Sequence, residues 1–118
     1  MNISSLYALL NLKEKPKALY VHIRVQVLND KDELVIRKSD PQGIDPKTLV
    51  LSVRIESSTI PGIAKEKDIV YILREDNVIN YNQIQLITID GEVLLREIEI
   101  IDKNHSIATE LISLKIVS

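Results

Sequence analysis

The chain has 118 residues, a formal net charge of −2 at neutral pH and no cysteine. This length fits one domain with its own core. The missing thiols exclude disulfide frameworks, thiol catalysis and iron–sulfur clusters, and the acidic balance gives no general attraction to nucleic acid. The apolar residues include 19 Ile, 15 Leu and 10 Val but no Phe or Trp, a composition that favours pleated strands. Heat-adapted organisms, their viruses and AT-rich genomes share this bias, so composition leaves the source open.

The first apolar segment, residues 3–12, has a spacing typical of a short amphipathic helix. The residues at this helix-like spacing are Ile3, Leu6, Leu9 and Leu10. Pro16 ends any helical continuation. We therefore expect an N-terminal helix or arm over residues 1–15 and a β core over 18–118, together forming a single domain. The apolar run is too short to span a bilayer and its basic residues follow it, so we expect a protein without membrane contact, in the cytoplasm or in a virion.

Residues 18–28 alternate apolar and polar side chains with the period of a half-buried strand. One face carries Leu19, Val21, Ile23, Val25 and Val27, and the opposite face carries Tyr20, His22, Arg24 and Gln26. Residues 48–57 repeat this alternation. Both segments are predicted to be strands with one face in the core.

Five further strands complete the prediction. They lie in residues 33–38, 68–74 and 105–118 and in the two halves of 83–101, where Asp90-Gly91 indicates a two-residue type I′ hairpin turn. The polar run 29–32 predicts a hairpin between 18–28 and 33–38. Seven short, mostly antiparallel strands joined by turns are typical of a small all-β sandwich, and a partly open β-barrel is the alternative.

The inventory of chemical groups is sparse. His22 and His105 have no second ligand at metal-binding spacing, and three scattered glycines do not make a phosphate-binding loop. We therefore expect no catalytic residues, no metal, no cofactor and no enzymatic activity.

Residues 57–72 followed by 90–98 resemble the serine–lysine peptidases, which include self-cleaving repressors and signal peptidases. Ser58 and Pro61 match the nucleophile segment of that family. The position that should hold the general base is Leu95 or Arg96, and a guanidinium is not deprotonated near neutral pH. The resemblance thus implies a family-like segment without the catalytic base.

Two functional hypotheses remain. The first is a non-enzymatic protein-interaction or assembly module that forms homo-oligomers, as in a virion or another macromolecular assembly, because the strands offer pairing edges and outward-facing apolar residues. Those residues are Val50, Val70, Ile72, Ile87 and Ile89. The second is a single-stranded nucleic-acid-binding or transcription accessory domain that uses Tyr20, His22 and Arg24 as a stacking and phosphate-binding face.

Overall fold

The computed structural model of the chain describes residues 2–101. This part contains eight strands and one short 3-10 helix. The strands are β1 (Asn2–Asn11), β2 (Ala18–Val27), β3 (Glu33–Lys38), β4 (Thr48–Glu56), β5 (Lys65–Arg74), β6 (Gln83–Thr88), β7 (Val93–Glu97) and β8 (Glu99–Ile101), and the 3-10 helix is Asp76–Asn80.

The strands form two four-stranded sheets. Sheet I has the order β5-β2-β1-β8, and sheet II has the order β3-β4-β6-β7. Both sheets are mixed, because β1 pairs with β8 and β4 pairs with β6 in parallel, whereas the other pairs are antiparallel. Over residues 2–101 the two sheets pack together without closing into a barrel, which confirms the predicted small all-β sandwich.

The predicted N-terminal helix is wrong, because the same residues form strand β1 between β2 and β8. Leu6, Ala8 and Leu10 alternate onto the core side of the strand. Leu9 lies on the other face, where it is also buried. A strand with both faces covered has apolar residues at odd and even positions, so its sequence imitates helical spacing.

The core lies between the sheets and consists almost entirely of aliphatic side chains. The alternating residues of β2 and β4 supply its two walls as predicted, and β6 extends the second wall. The fully buried residues of this layer include Leu19, Val21, Ile23, Val25, Leu49, Leu51, Val53, Ile84 and Leu86.

The connection from β2 to β3 crosses from sheet I to sheet II, so the predicted hairpin at residues 29–32 is wrong. This connection is instead joined to the loop before β5. Asp30 N–H donates to the Ile63 carbonyl at 2.7 Å, and Ile63 N–H donates back to Asp30 Oδ1 at 3.1 Å. The Asn29 side-chain amide also donates to the Ile60 carbonyl. These bonds satisfy polar groups that a hairpin would have paired within one sheet.

The predicted hairpin over residues 83–101 is present as β6 and β7, but its turn is not type I′. That turn needs positive φ at both central residues, and among the described residues only Gly91 has positive φ, at 88°. Gly91 N–H donates to the Thr88 carbonyl and Thr88 N–H donates to the Glu92 carbonyl, which closes a three-residue loop. At Ile98 the chain leaves sheet II for β8 of sheet I, and the predicted strand 105–118 lies outside the described residues.

Candidate interaction surfaces

Tyr20, His22 and Arg24 share the outer face of sheet I, opposite the main core, as their alternation predicts. They are not exposed, because Tyr20 is 6%, His22 2% and Arg24 7% accessible. Strand β2 is central in its sheet, and the outer-face residues of β1 and β5 flank this row on both sides. The three side chains thus form a buried polar stripe.

Asp68 on β5 is the ionic partner of this stripe and lies opposite Arg24 in the strand register. Its Oδ1 is 2.8 Å from His22 Nε2 and accepts a hydrogen bond from Arg24 Nε at 3.0 Å. Burial alone would raise the pKa of Asp68, but the hydrogen bonds and charges of Arg24 and His22 outweigh it and lower that pKa. The carboxylate is therefore held in its charged form between two nitrogen groups.

The tyrosine end of the stripe has its own polar partners. Tyr20 Oη lies 2.8 Å from both carboxylate oxygens of Glu14 and accepts a hydrogen bond from Arg74 Nη2 at 3.1 Å. The Arg74 guanidinium also donates to Glu14 Oε2 and its carbon lies 5.6 Å from the Tyr20 ring centroid. Burial, followed by Glu14, raises the pKa of Tyr20. Both the hydroxyl and the ring of Tyr20 therefore contact other side chains of the protein.

Sequence reasoning found this stripe but missed its partners. Asp68 and Arg74 belong to a segment whose alternation places them on one face, and that alternation was the available signal. Alternation alone does not give the order of the strands in a sheet. Arg24 and Asp68 come together because β2 pairs with β5. In this geometry His22 and Arg24 pair with Asp68, and Tyr20 is 6% accessible.

Open clefts in the described part of the chain carry little chemistry. A cleft of about 600 Å³ is lined mainly by Gln26, Val27, Leu28, Ala64 and the β5 residues next to them. A smaller cleft of about 230 Å³ lies between β3 and β5 and reaches Asp68. Residues 2–101 contain no group of three side chains suited to hold a metal ion and no helix long and apolar enough to cross a membrane.

The peptidase-like segments do not meet within residues 2–101. Ser58 follows β4, where its Oγ accepts a hydrogen bond from Ile60 N–H and its own N–H donates to Asp32 Oδ1. Arg96 lies on β7 and donates to the carbonyl of Leu95. No described hydrogen bond or ion pair joins Ser58 to Arg96.

The surface that stands out is the β6–β7 hairpin. Ile89, Val93 and Leu95 are 68%, 52% and 52% accessible, and Ile87 beside Val93 is half-buried. We call these four residues the hairpin patch. In the described part of the chain, β7 is an edge strand of sheet II. The hairpin patch therefore lies next to a sheet edge. Exposed aliphatic residues at an edge are typical of a contact surface.

The other outward apolar residues differ in their exposure. Val50 is buried under residues 39–47, where Gln42 bonds to its backbone N–H and carbonyl. Val70 is half-buried and Ile72 is 46% accessible. The loops joined at Asp30 and Ile63 add a second exposed group, consisting of Leu28, Ile60 and Ile63.

Fold and surface together define a small all-β protein of two packed mixed sheets. Comparison with protein-family models, with curated proteins and with solved structures finds no match to this chain.

Proposed function

We propose that this protein is a non-enzymatic assembly module that binds further copies of itself, as a subunit of a virion or of a cytoplasmic complex. The observation that carries the proposal is the hairpin patch, where Val93 and Leu95 expose half of their surface on an outer strand. Monomeric proteins usually protect such edges with charge, proline or a covering loop. Exposed Arg96 and Glu97 also lie on β7, but its outward aliphatic residues Val93 and Leu95 are suited to strand pairing with a neighbour.

The polar groups support an interaction role over catalysis. Two pairs of oppositely charged side chains bind each other, Asp68 with Arg24 and Glu14 with Arg74. A catalytic group needs access to substrate in a pocket, and His22 is buried. Nucleic-acid binding through Tyr20, His22 and Arg24 gains no support from this geometry, because stacking needs an accessible ring.

The proposal is tested by the mass of the purified protein in solution, measured by light scattering over a range of protein concentrations and at low and high salt. We expect a discrete oligomer with no excess absorbance at 260 nm. The double variant Val93→Thr/Leu95→Thr keeps strand-forming side chains but removes apolar area, so we expect it to be monomeric. Ile72→Thr, on the outer face of β5, is the matched control and should retain the oligomer.

Two results would overturn the proposal. A wild-type monomer at all concentrations would show that the hairpin patch binds no second copy. Nucleic acid that copurifies and dissociates as salt rises would favour the second hypothesis.

A further inference from the structure

Within residues 2–101, the side of β7 away from β6 presents backbone groups to no other strand. The Leu95 carbonyl on that side accepts a hydrogen bond from Arg96 Nη1 at 2.8 Å, and pairing with a second strand would replace this bond. Thr88 N–H donates to the Glu92 carbonyl, so the backbone groups of Glu92 and its alternate residues Leu94 and Arg96 face β6. Those of Val93 and Leu95 then face away from β6, because antiparallel partners alternate along a strand. Within residues 2–101 no strand pairs with that side of β7.

The side chains of β7 divide between two faces in the same alternating way. Leu94 packs against the core between the sheets, and Glu92 and Arg96 flank it on that face and are exposed. Val93 and Leu95 lie on the outer face. Residues directly opposite each other in a sheet occupy the same face. In an antiparallel pair of two β7 strands, the two-fold axis must therefore pass through a residue and not between two residues.

The two-fold axis can lie at one of three apolar residues of β7, and the three choices place different charged residues opposite each other. Centring on Val93 places Glu92 opposite the Leu94 of the second copy. Centring on Leu95 places Val93 opposite Glu97. Centring on Leu94 places Val93 opposite Leu95 and Glu92 opposite Arg96, each twice because the contact is symmetric.

We infer that two copies of this chain pair through β7 in antiparallel orientation about a two-fold axis at Leu94, with reciprocal Glu92–Arg96 ion pairs. The partner is a second copy because the strand is complementary to itself in both charge and apolar surface. On the outer face, Ile87 and Val93 of one copy continue into Leu95 of the other, which extends the hairpin patch across the junction. Counting the described strands alone, the two copies of sheet II then form one continuous eight-stranded sheet. This inference rests on the proposed function, since it specifies the contact that self-association uses.

Charge reversal tests the register directly. Glu92→Arg leaves two basic residues opposite each other in the homodimer, and Arg96→Glu leaves two acidic ones. We expect each single variant to self-associate about tenfold more weakly than wild type, or worse. An equimolar mixture of the two variants should form a heterodimer with every pair restored, and Glu92→Arg/Arg96→Glu in one chain should restore the homodimer.

Glu97→Arg is the matched control, because the proposed register places Glu97 opposite Gly91 and not opposite a charge. Sedimentation equilibrium gives the dissociation constants, and circular dichroism checks that each variant keeps its strands. A wild-type oligomer that is indifferent to both reversals, or is not rescued by mixing, would overturn this register and leave the proposed function standing. A wild-type monomer would overturn both.

Discussion

Asp68 connects two residues of the central strand β2 to the edge strand β5 of sheet I. One carboxylate oxygen accepts from Arg24 and contacts His22, both of which are almost fully buried. Removing one member of such a cluster costs more than the pair contributes net, because the remaining charge is left in a site of low polarisability. We expect the cluster to favour the register that places Arg24 opposite Asp68.

Asp68→Asn tests this cluster. The folded protein lowers the pKa of Asp68, so its contribution to stability is present above the unfolded pKa of about 3.9 and is lost as pH falls through the folded value. We expect the variant to lose roughly 1–3 kcal/mol of unfolding free energy at pH 7. As pH falls through the lowered folded pKa of Asp68, the difference from wild type should shrink, because the wild-type carboxyl becomes neutral as well.

Denaturant unfolding at a series of pH values measures both effects. Asp76→Asn, at the start of the 3-10 helix, is the control for loss of a surface carboxylate. A variant that matches wild type at pH 7, or a difference that is constant down to pH 2, would show that Asp68 makes no net ionic contribution.

At the scale of elements, the β6–β7 hairpin depends on its turn. Gly91 has φ of 88° and an added Cβ would meet no atom within 4 Å. A side chain at position 91 is therefore disfavoured by the positive φ of the backbone and not by a clash with neighbouring atoms. A residue with a Cβ, such as Ala, prefers negative φ by roughly 1–2 kcal/mol, so the turn favours glycine.

Gly91→Ala should destabilise the protein by roughly 1–2 kcal/mol. Gly43→Ala is the matched control, since its Cβ would make an ordinary contact 3.5 Å from Val50 Cγ2 without positive φ, and it should be neutral or slightly stabilising. Thermal unfolding of the two variants beside wild type measures the difference. Equal losses at both positions would refute the assignment of strain to the turn.

The elements show where sequence patterns suffice and where they fail. Strands β2, β4 and β6 were predictable because their core faces alternate with mostly polar residues, with Val50 of β4 and Ile87 of β6 among the apolar exceptions. β1 was not, because Leu6, Leu9 and Leu10 satisfy helical spacing and strand alternation alike when both faces are covered. The consecutive residues Asp90 and Gly91 predicted the hairpin correctly. The sequence did not distinguish a three-residue loop from a two-residue turn.

At the scale of the whole molecule, strand order was beyond reach of local patterns. The connection at residues 29–32 reads as a hairpin, yet β2 and β3 belong to different sheets, and hydrogen bonds to Ile60 and Ile63 hold that connection in place. The same long-range pairing buries Tyr20, His22 and Arg24, so their polar pattern alone gave no measure of their exposure. Burial follows from which strands are neighbours, and that is set by packing between distant segments.

The described part of the sandwich exposes several large aliphatic side chains, and those of the hairpin patch lie next to a sheet edge. If the native state self-associates there, association stabilises the folded chain by mass action, because the unfolded chain lacks the paired edge. The melting temperature then rises with protein concentration. A two-state dimer of this size predicts about 3 °C per tenfold increase in concentration.

Calorimetric or circular-dichroism melts at three concentrations spanning two decades test this expectation. The variant Val93→Thr/Leu95→Thr should melt at one temperature throughout, because its unfolding involves no change in subunit number. Ile72→Thr should keep the wild-type dependence. A wild-type melting temperature that does not change with concentration, under conditions where unfolding is reversible, would mean that the exposed hairpin patch is not covered by a second copy in the folded protein.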